Sequence, residues 1–160
     1  MIRIRLVFTC AILLFALSVA FGQVTSNSHL FENELACKSD PKAGKLLLDL
    51  RKKGFIDGAY VVEDSVSYFK LKKPLSVWNF SPVAVFGFEL GYSHIFVRGP
   101  GTAPPEMVGI VVREDVASVK AKLQSLGIEN LEVEEHRYDF KGNVRNSGSP
   151  LTQIACWRQN

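Results

Sequence analysis

Between Pro82 and Val112 the chain carries three short apolar runs: Pro82-Val83-Ala84-Val85-Phe86-Gly87-Phe88, Ile95-Phe96-Val97 and Met107-Val108-Gly109-Ile110-Val111-Val112. They are rich in β-branched and aromatic residues and divided by turn residues, which predicts strands of one sheet. The first and third are apolar at nearly every position, the pattern of strands without a solvated side. Glu89-Leu90-Gly91-Tyr92 offers a glycine for positive φ and predicts a hairpin between the first two runs. The connection from Arg98 to Glu106 is longer and holds three prolines and two glycines.

Helical spacing occurs twice. Ala43, Leu46, Leu47 and Leu50 form one apolar stripe behind Asp40-Pro41, which reads as N-cap and first helical residue, and Gly54 supplies the stop. Val116, Val119, Leu123 and Leu126 form the second stripe, with Glu114 and Asp115 at its start and Gly127 after its end. Further strands are predicted at Ala59–Val62, Val66–Leu71, Leu131–Phe140 and Leu151–Trp157. In the third of these, Leu131 and Val133 have one parity and Tyr138 and Phe140 the other, so a bulge near Glu135-His136 is expected. The order of helix, strands, helix, strands predicts an α+β domain. Its architecture is a mainly antiparallel sheet of about five to seven strands with two helices packed on one face. The segment from Arg113 to Leu131 also suits a single parallel crossover.

The N-terminal pattern differs from all of this. Arg3 and Arg5 precede an almost continuous apolar run from Ala11 to Phe21 that turns polar at Gln23, the build of a secretory signal peptide. The run is short of the ~20 residues that a membrane span needs. Residues 1–22 are therefore read as a leader, 23–36 as a loose polar lead-in and 37–160 as one domain, exported to the periplasm or secreted. The full chain has 19 basic and 16 acidic residues, and losing the leader leaves 17 against 16. Nucleic-acid binding loses its main support, because it rests on a clustered basic excess. Of three cysteines, Cys10 goes with the leader. Cys37 and Cys156 are left to form one disulfide that brings the two ends of the domain together. Closing a loop of about 120 residues is worth on the order of 5 kcal/mol in the chain-entropy model.

Candidate chemistry is sparse. Serines lack a G-x-S-x-G setting, and Gly99-Pro100-Gly101 lacks the helix start of a phosphate site. No catalytic residue, metal ligand set or cofactor is assigned. Carboxylate pairs stand at Glu63-Asp64, Glu114-Asp115 and Glu134-Glu135. On a strand, Glu134 and His136 face the same way. The restricted loop from Arg98 to Glu106 is the candidate binding element, with Arg98, Thr102 and Glu106 as polar contacts and Pro104-Pro105 as rigid apolar ones.

The leading expectation is a small exported non-catalytic binding protein whose partner is another secreted or envelope protein, as for an inhibitor or immunity-type protein. It would bind no nucleic acid and have no membrane insertion once the leader is cleaved. Two alternatives stand beside it. One is a small envelope hydrolase or metal-dependent enzyme using His94 or His136 with nearby carboxylates, and the other is a component of a cell-envelope assembly.

Overall fold

The computed structural model describes residues 29–101, 103–142 and 150–157. The expected leader at 1–22 and Thr102 of the candidate loop lie outside the described residues. Among the described residues six strands form one sheet: β1 (Val61–Glu63), β2 (Val66–Lys70), β3 (Ala84–Phe88), β4 (Met107–Val112), β5 (Glu132–Glu135) and β6 (Thr152–Trp157). Their spatial order is β1-β2-β3-β4-β6-β5, and every neighbouring pair is antiparallel. Three helices, α1 (29–35), α2 (Ala43–Lys52) and α3 (Val116–Ser125), complete the α+β domain. With β6 seated between them, β4 and β5 run parallel to each other and α3 is the crossover that joins them.

Strand alternation gives the sheet two different faces. One holds Val62, Ser67, Gly87, Val108 and Cys156 in one cross-strand row and Phe69, Val85, Ile110, Ile154 and Val133 in the next. The helices pack here. A side chain on Gly87 would meet Ala43, Leu47 and the Met107 carbonyl, so glycine sets how closely α2 lies on β3. On the same side the Thr152 hydroxyl donates to the Glu114 carbonyl ahead of α3, at 2.6 Å. Cys156 is bonded to Cys37, just past α1, so the expected disulfide ties the N-terminal helix to the last strand.

The stripe of α2 is buried as its spacing predicts, but the helix begins at Ala43 instead of Pro41, and Lys42 occupies the cap position without a side-chain cap bond. Carboxylates distant in sequence fill that role. Glu89 accepts from the Gly44 N–H at 2.6 Å and Glu34 from the Lys42 N–H at 2.8 Å. At α3 the cap is local: Asp115 accepts from the Ser118 N–H at 2.9 Å, which holds its carboxyl below the usual range. The lead-in read as loose includes α1, whose Phe31 and Leu35 are fully buried and whose Glu32 accepts from the Trp78 N–H.

Two strand expectations fail for identifiable reasons. Ile95-Phe96-Val97 is a turn-rich segment, because the Tyr92 carbonyl accepts from the Ile95 and Phe96 N–H groups, both at 3.0 Å. Tyr92 itself packs against Gly44 of α2, where a side chain would collide with its ring. Ile95 and Phe96 are thus buried anchors, and β3 pairs directly with β4 across an 89–106 connection. The strand expected over Leu131–Phe140 ends at Glu135. The parity conflict is resolved by the chain leaving the sheet, and no bulge is needed.

Candidate functional site

The other sheet face carries Glu63, Val66, Phe88, Met107 and Trp157 in one row. The next two hold Val61, Tyr68, Phe86, Gly109, Ala155 and Glu132, then Lys70, Ala84, Val111, Gln153 and Glu134. Phe86 lies across Gly109, where any Cβ would collide with its ring, and Tyr68 stacks on Phe86 with centroids 4.8 Å apart. After β5 the chain crosses this face towards the opposite edge. Tyr138 donates its hydroxyl to Glu63 of β1 at 2.6 Å. Phe140 meets Tyr60 edge-on, with centroids 5.6 Å apart, and lies under the cations of Lys70 and Arg113. Gly142 ends the crossing at φ 83°, 2.8 Å in projected Cβ distance from the Tyr60 carbonyl, so a side chain there is opposed by both strain and contact.

Under the crossing segment runs a hydrogen-bond chain. Gln153 donates its amide N–H to Glu134, which orients its carbonyl towards His136 Nδ1 at 3.1 Å and the Tyr68 hydroxyl at 3.5 Å. A carbonyl only accepts, so Nδ1 carries a proton, and in the neutral ring Nε2 accepts from the Tyr60 hydroxyl at 3.0 Å. His136 is 1 % exposed and Gln153 8 %. Burial raises the pKa values of Tyr60 and Tyr68 well above the ordinary phenol value, with neighbouring anions adding to it. Both phenols stay protonated at neutral pH and serve as donors. Tyr138 is also raised, first through its bond to Glu63.

Beside this chain a cavity of about 310 Å³ opens between the two sheet edges. Val66, Tyr68, Met107 and Gln153 belong to its strand-borne lining, and Glu63 and Asp64 stand on the β1 side. Glu134, Glu135, His136, Arg137 and Tyr138 come from β5 and the crossing segment, and Pro104 and Trp157 complete the wall. Two of the three carboxylate pairs visible in sequence contribute to this lining, the second through the side chain of Glu134, since the register pairs Glu135 with Thr152 of the helix side, while Glu114-Asp115 stays at the start of α3. Burial also raises the carboxyl of Glu132, with Glu134 adding to the effect.

The predicted loop is only partly in this site. Pro104 lines the cavity, and Gly99 N–H donates to Ser65 Oγ at 2.8 Å, pinning the loop to the β1–β2 turn. Arg98 and Pro105 are exposed and Glu106 is half-buried. His94 and His136 are not brought together. Arg51 of α2 donates to the His94 carbonyl on the helix side, whereas His136 is packed beneath the crossing segment on the other face. Among the described residues no group of three His, Cys, Asp or Glu side chains has a metal-holding arrangement. No described helix is long and apolar enough to cross a membrane.

Sequence reasoning missed Tyr60, Tyr138, Trp157 and Gln153 as site residues. Gln153 did leave a signal, as a lone amide inside the strand Leu151–Trp157, since such a group is buried only when it is hydrogen-bonded. Compared with protein-family models, with curated proteins and with solved structures, the chain matches none.

Proposed function

We propose that the chain is a small exported non-catalytic binding protein, periplasmic or secreted, and that it holds another secreted or envelope protein at the mouth of the cavity on the sheet face opposite the described helices. The observation that carries this reading is the cavity itself. Its walls come from four separate stretches of the chain: Glu63 to Tyr68 across the β1–β2 turn, Pro104 to Met107 at the start of β4, Glu134 to Tyr138 from β5 into the crossing segment, and Gln153 to Trp157 of β6. Ligand sites are concave, largely preformed, and combine apolar walls with a few oriented polar groups. Here each orienting group is itself held: Glu63 by Tyr138, Glu134 by Gln153, and His136 at both ring nitrogens. An imidazole committed on both sides suits a rigid wall better than proton transfer. The disulfide is compatible with an oxidising compartment.

The test is a pull-down from periplasmic and secreted extract with the oxidised chain as bait, followed by direct titration with the purified captured protein. Replacing Arg98 to Glu106 by a Gly/Ser linker removes Pro104 from the wall and should abolish capture. A partner that binds both forms equally would remove the loop and cavity mouth from the interface. Hydrolysis of a secreted substrate, lost in His136→Ala, would replace the binding reading with an enzymatic one.

A further inference from the structure

Resting on the binding reading above, we propose that the cavity on the sheet face opposite the described helices receives the guanidinium or ammonium group of an arginine or lysine side chain from the partner protein. Size is the first argument. At about 310 Å³ the cavity lies at the lower limit of small-molecule sites, ~300–1,000 Å³, room for one extended side chain. Charge is the second. Glu63 and Asp64 line it from one edge of the sheet and Glu134 from the other, with Arg137 and the His136 ring as the basic groups of the lining. A cation entering between the two edges meets carboxylates on both sides. In a partly enclosed cleft, such attraction is stronger than at an open surface.

The third argument is preorganisation. Glu63 Oε1 accepts from Tyr138 and Glu134 Oε1 from Gln153, so each carboxylate is fixed through one oxygen while its acceptor capacity exceeds one bond. A planar guanidinium is suited to such fixed carboxylates. The apolar part of the lining completes the match, since Val66, Met107 and Tyr68 suit the methylene stem of lysine or arginine, and tyrosine and tryptophan rings attract cations. A metal ion is a poorer occupant, because no group of three donor side chains is arranged to hold one among the described residues.

The experiment uses the oxidised chain and three probes: acetyl-Gly-Arg-Gly-amide, its lysine analogue and its neutral citrulline analogue, titrated by amide NMR shifts. The arginine and lysine peptides should shift resonances of Tyr68, Tyr138 and Trp157, weaken as salt rises, and bind more tightly than the citrulline peptide. Glu63→Gln with Glu134→Gln should weaken arginine-peptide binding about tenfold or more, the effect of losing charge-assisted bonds. If that double variant unfolds, Arg137→Ala serves in its place, and removing the competing cation should tighten binding. Equal binding of the citrulline peptide, no shifts at the cavity, or weaker binding by Arg137→Ala would overturn the proposal. A partner lost on loop replacement but indifferent to Glu63→Gln and Glu134→Gln would leave the binding reading standing and remove only the cationic side chain.

Discussion

The helix side of the sheet is almost wholly apolar, whereas the opposite side of the same strands carries tyrosine, histidine, glutamine and glutamate in one connected network. Helices cover the first, and the second is covered by its own aromatic rings and by an irregular segment that crosses from β5 towards β1. Apolar cover suffices where close packing is the only requirement. A face roofed by irregular chain must instead satisfy buried polar groups one by one, and that requirement positions His136 and Gln153. The consequence is mechanical as well: the helix side is fixed by shape, and the other side by directional bonds that also line a cavity.

The largest expected way to break the helix side is to remove the Cys37–Cys156 bond. Reduction, or a double serine substitution, should cost about 4–5 kcal/mol in urea denaturation, the chain-entropy value for a loop of this length. Gly87→Ala comes next. Its Cβ would stand 2.7 Å from the Met107 carbonyl oxygen and 2.9 Å from Ala43 Cβ, so backbone and helix must both shift. Overpacking of this kind costs about 1–3 kcal/mol.

On the other face His136→Leu should cost about 1–3 kcal/mol by stranding the Gln153 carbonyl and the Tyr60 hydroxyl. Combining it with Gln153→Leu should cost less than the two single changes together, and a double-mutant cycle measures the difference. Additive costs would mean that the two residues act apart. Ser67 sharpens the contrast from the helix side, since its buried hydroxyl has no hydrogen-bond partner among the described residues. Ser67→Ala should therefore be neutral or raise stability by up to about 1 kcal/mol, the reverse of a change within the opposite network.

Glu89→Gln is the smallest effect and the one with a pH signature. Burial raises the Glu89 carboxyl above its ordinary value despite the Gly44 N–H bond. Folding therefore favours the protonated form, and wild-type stability falls as pH rises from the unfolded carboxyl value through the folded one. Glutamine keeps an acceptor for Gly44 and avoids that loss. The variant should gain on wild type over that rise, by equilibrium denaturation at several pH values. Asp115 has the opposite sign: its lowered value stabilises the fold above the unfolded carboxyl range, and that stability is lost as pH falls.

The fold class, both long helices, the disulfide and the strands at the centre of the sheet were legible because each has a local signature: period, cap or cysteine count. Ile95-Phe96-Val97 was misread because a buried apolar triplet looks the same whether it joins a ladder or anchors a loop. The bonds from the Ile95 and Phe96 N–H groups to the Tyr92 carbonyl and the contact between Tyr92 and Gly44 distinguish the two. The start of α2 was misplaced for a similar reason, since its capping carboxylates, Glu34 and Glu89, are distant in sequence. At the candidate site the sequence showed the carboxylate pairs and the rigid prolines but not their meeting. Glu63 and Glu134 are 71 positions apart and lie on opposite outer strands, and the segment between Glu135 and Gly142 has no periodicity to reveal that it crosses a sheet.

The measurement that bears most directly on the face opposite the described helices as the binding face is amide hydrogen exchange of the oxidised chain, alone and with its captured partner. Protection should appear in Glu63–Val66, around Pro104 to Met107 and across 136–142, with α2 and α3 unchanged. Protection confined to Ala43–Lys52 and Val116–Ser125 would put the interface on the helices and contradict the assignment of the cavity as the site.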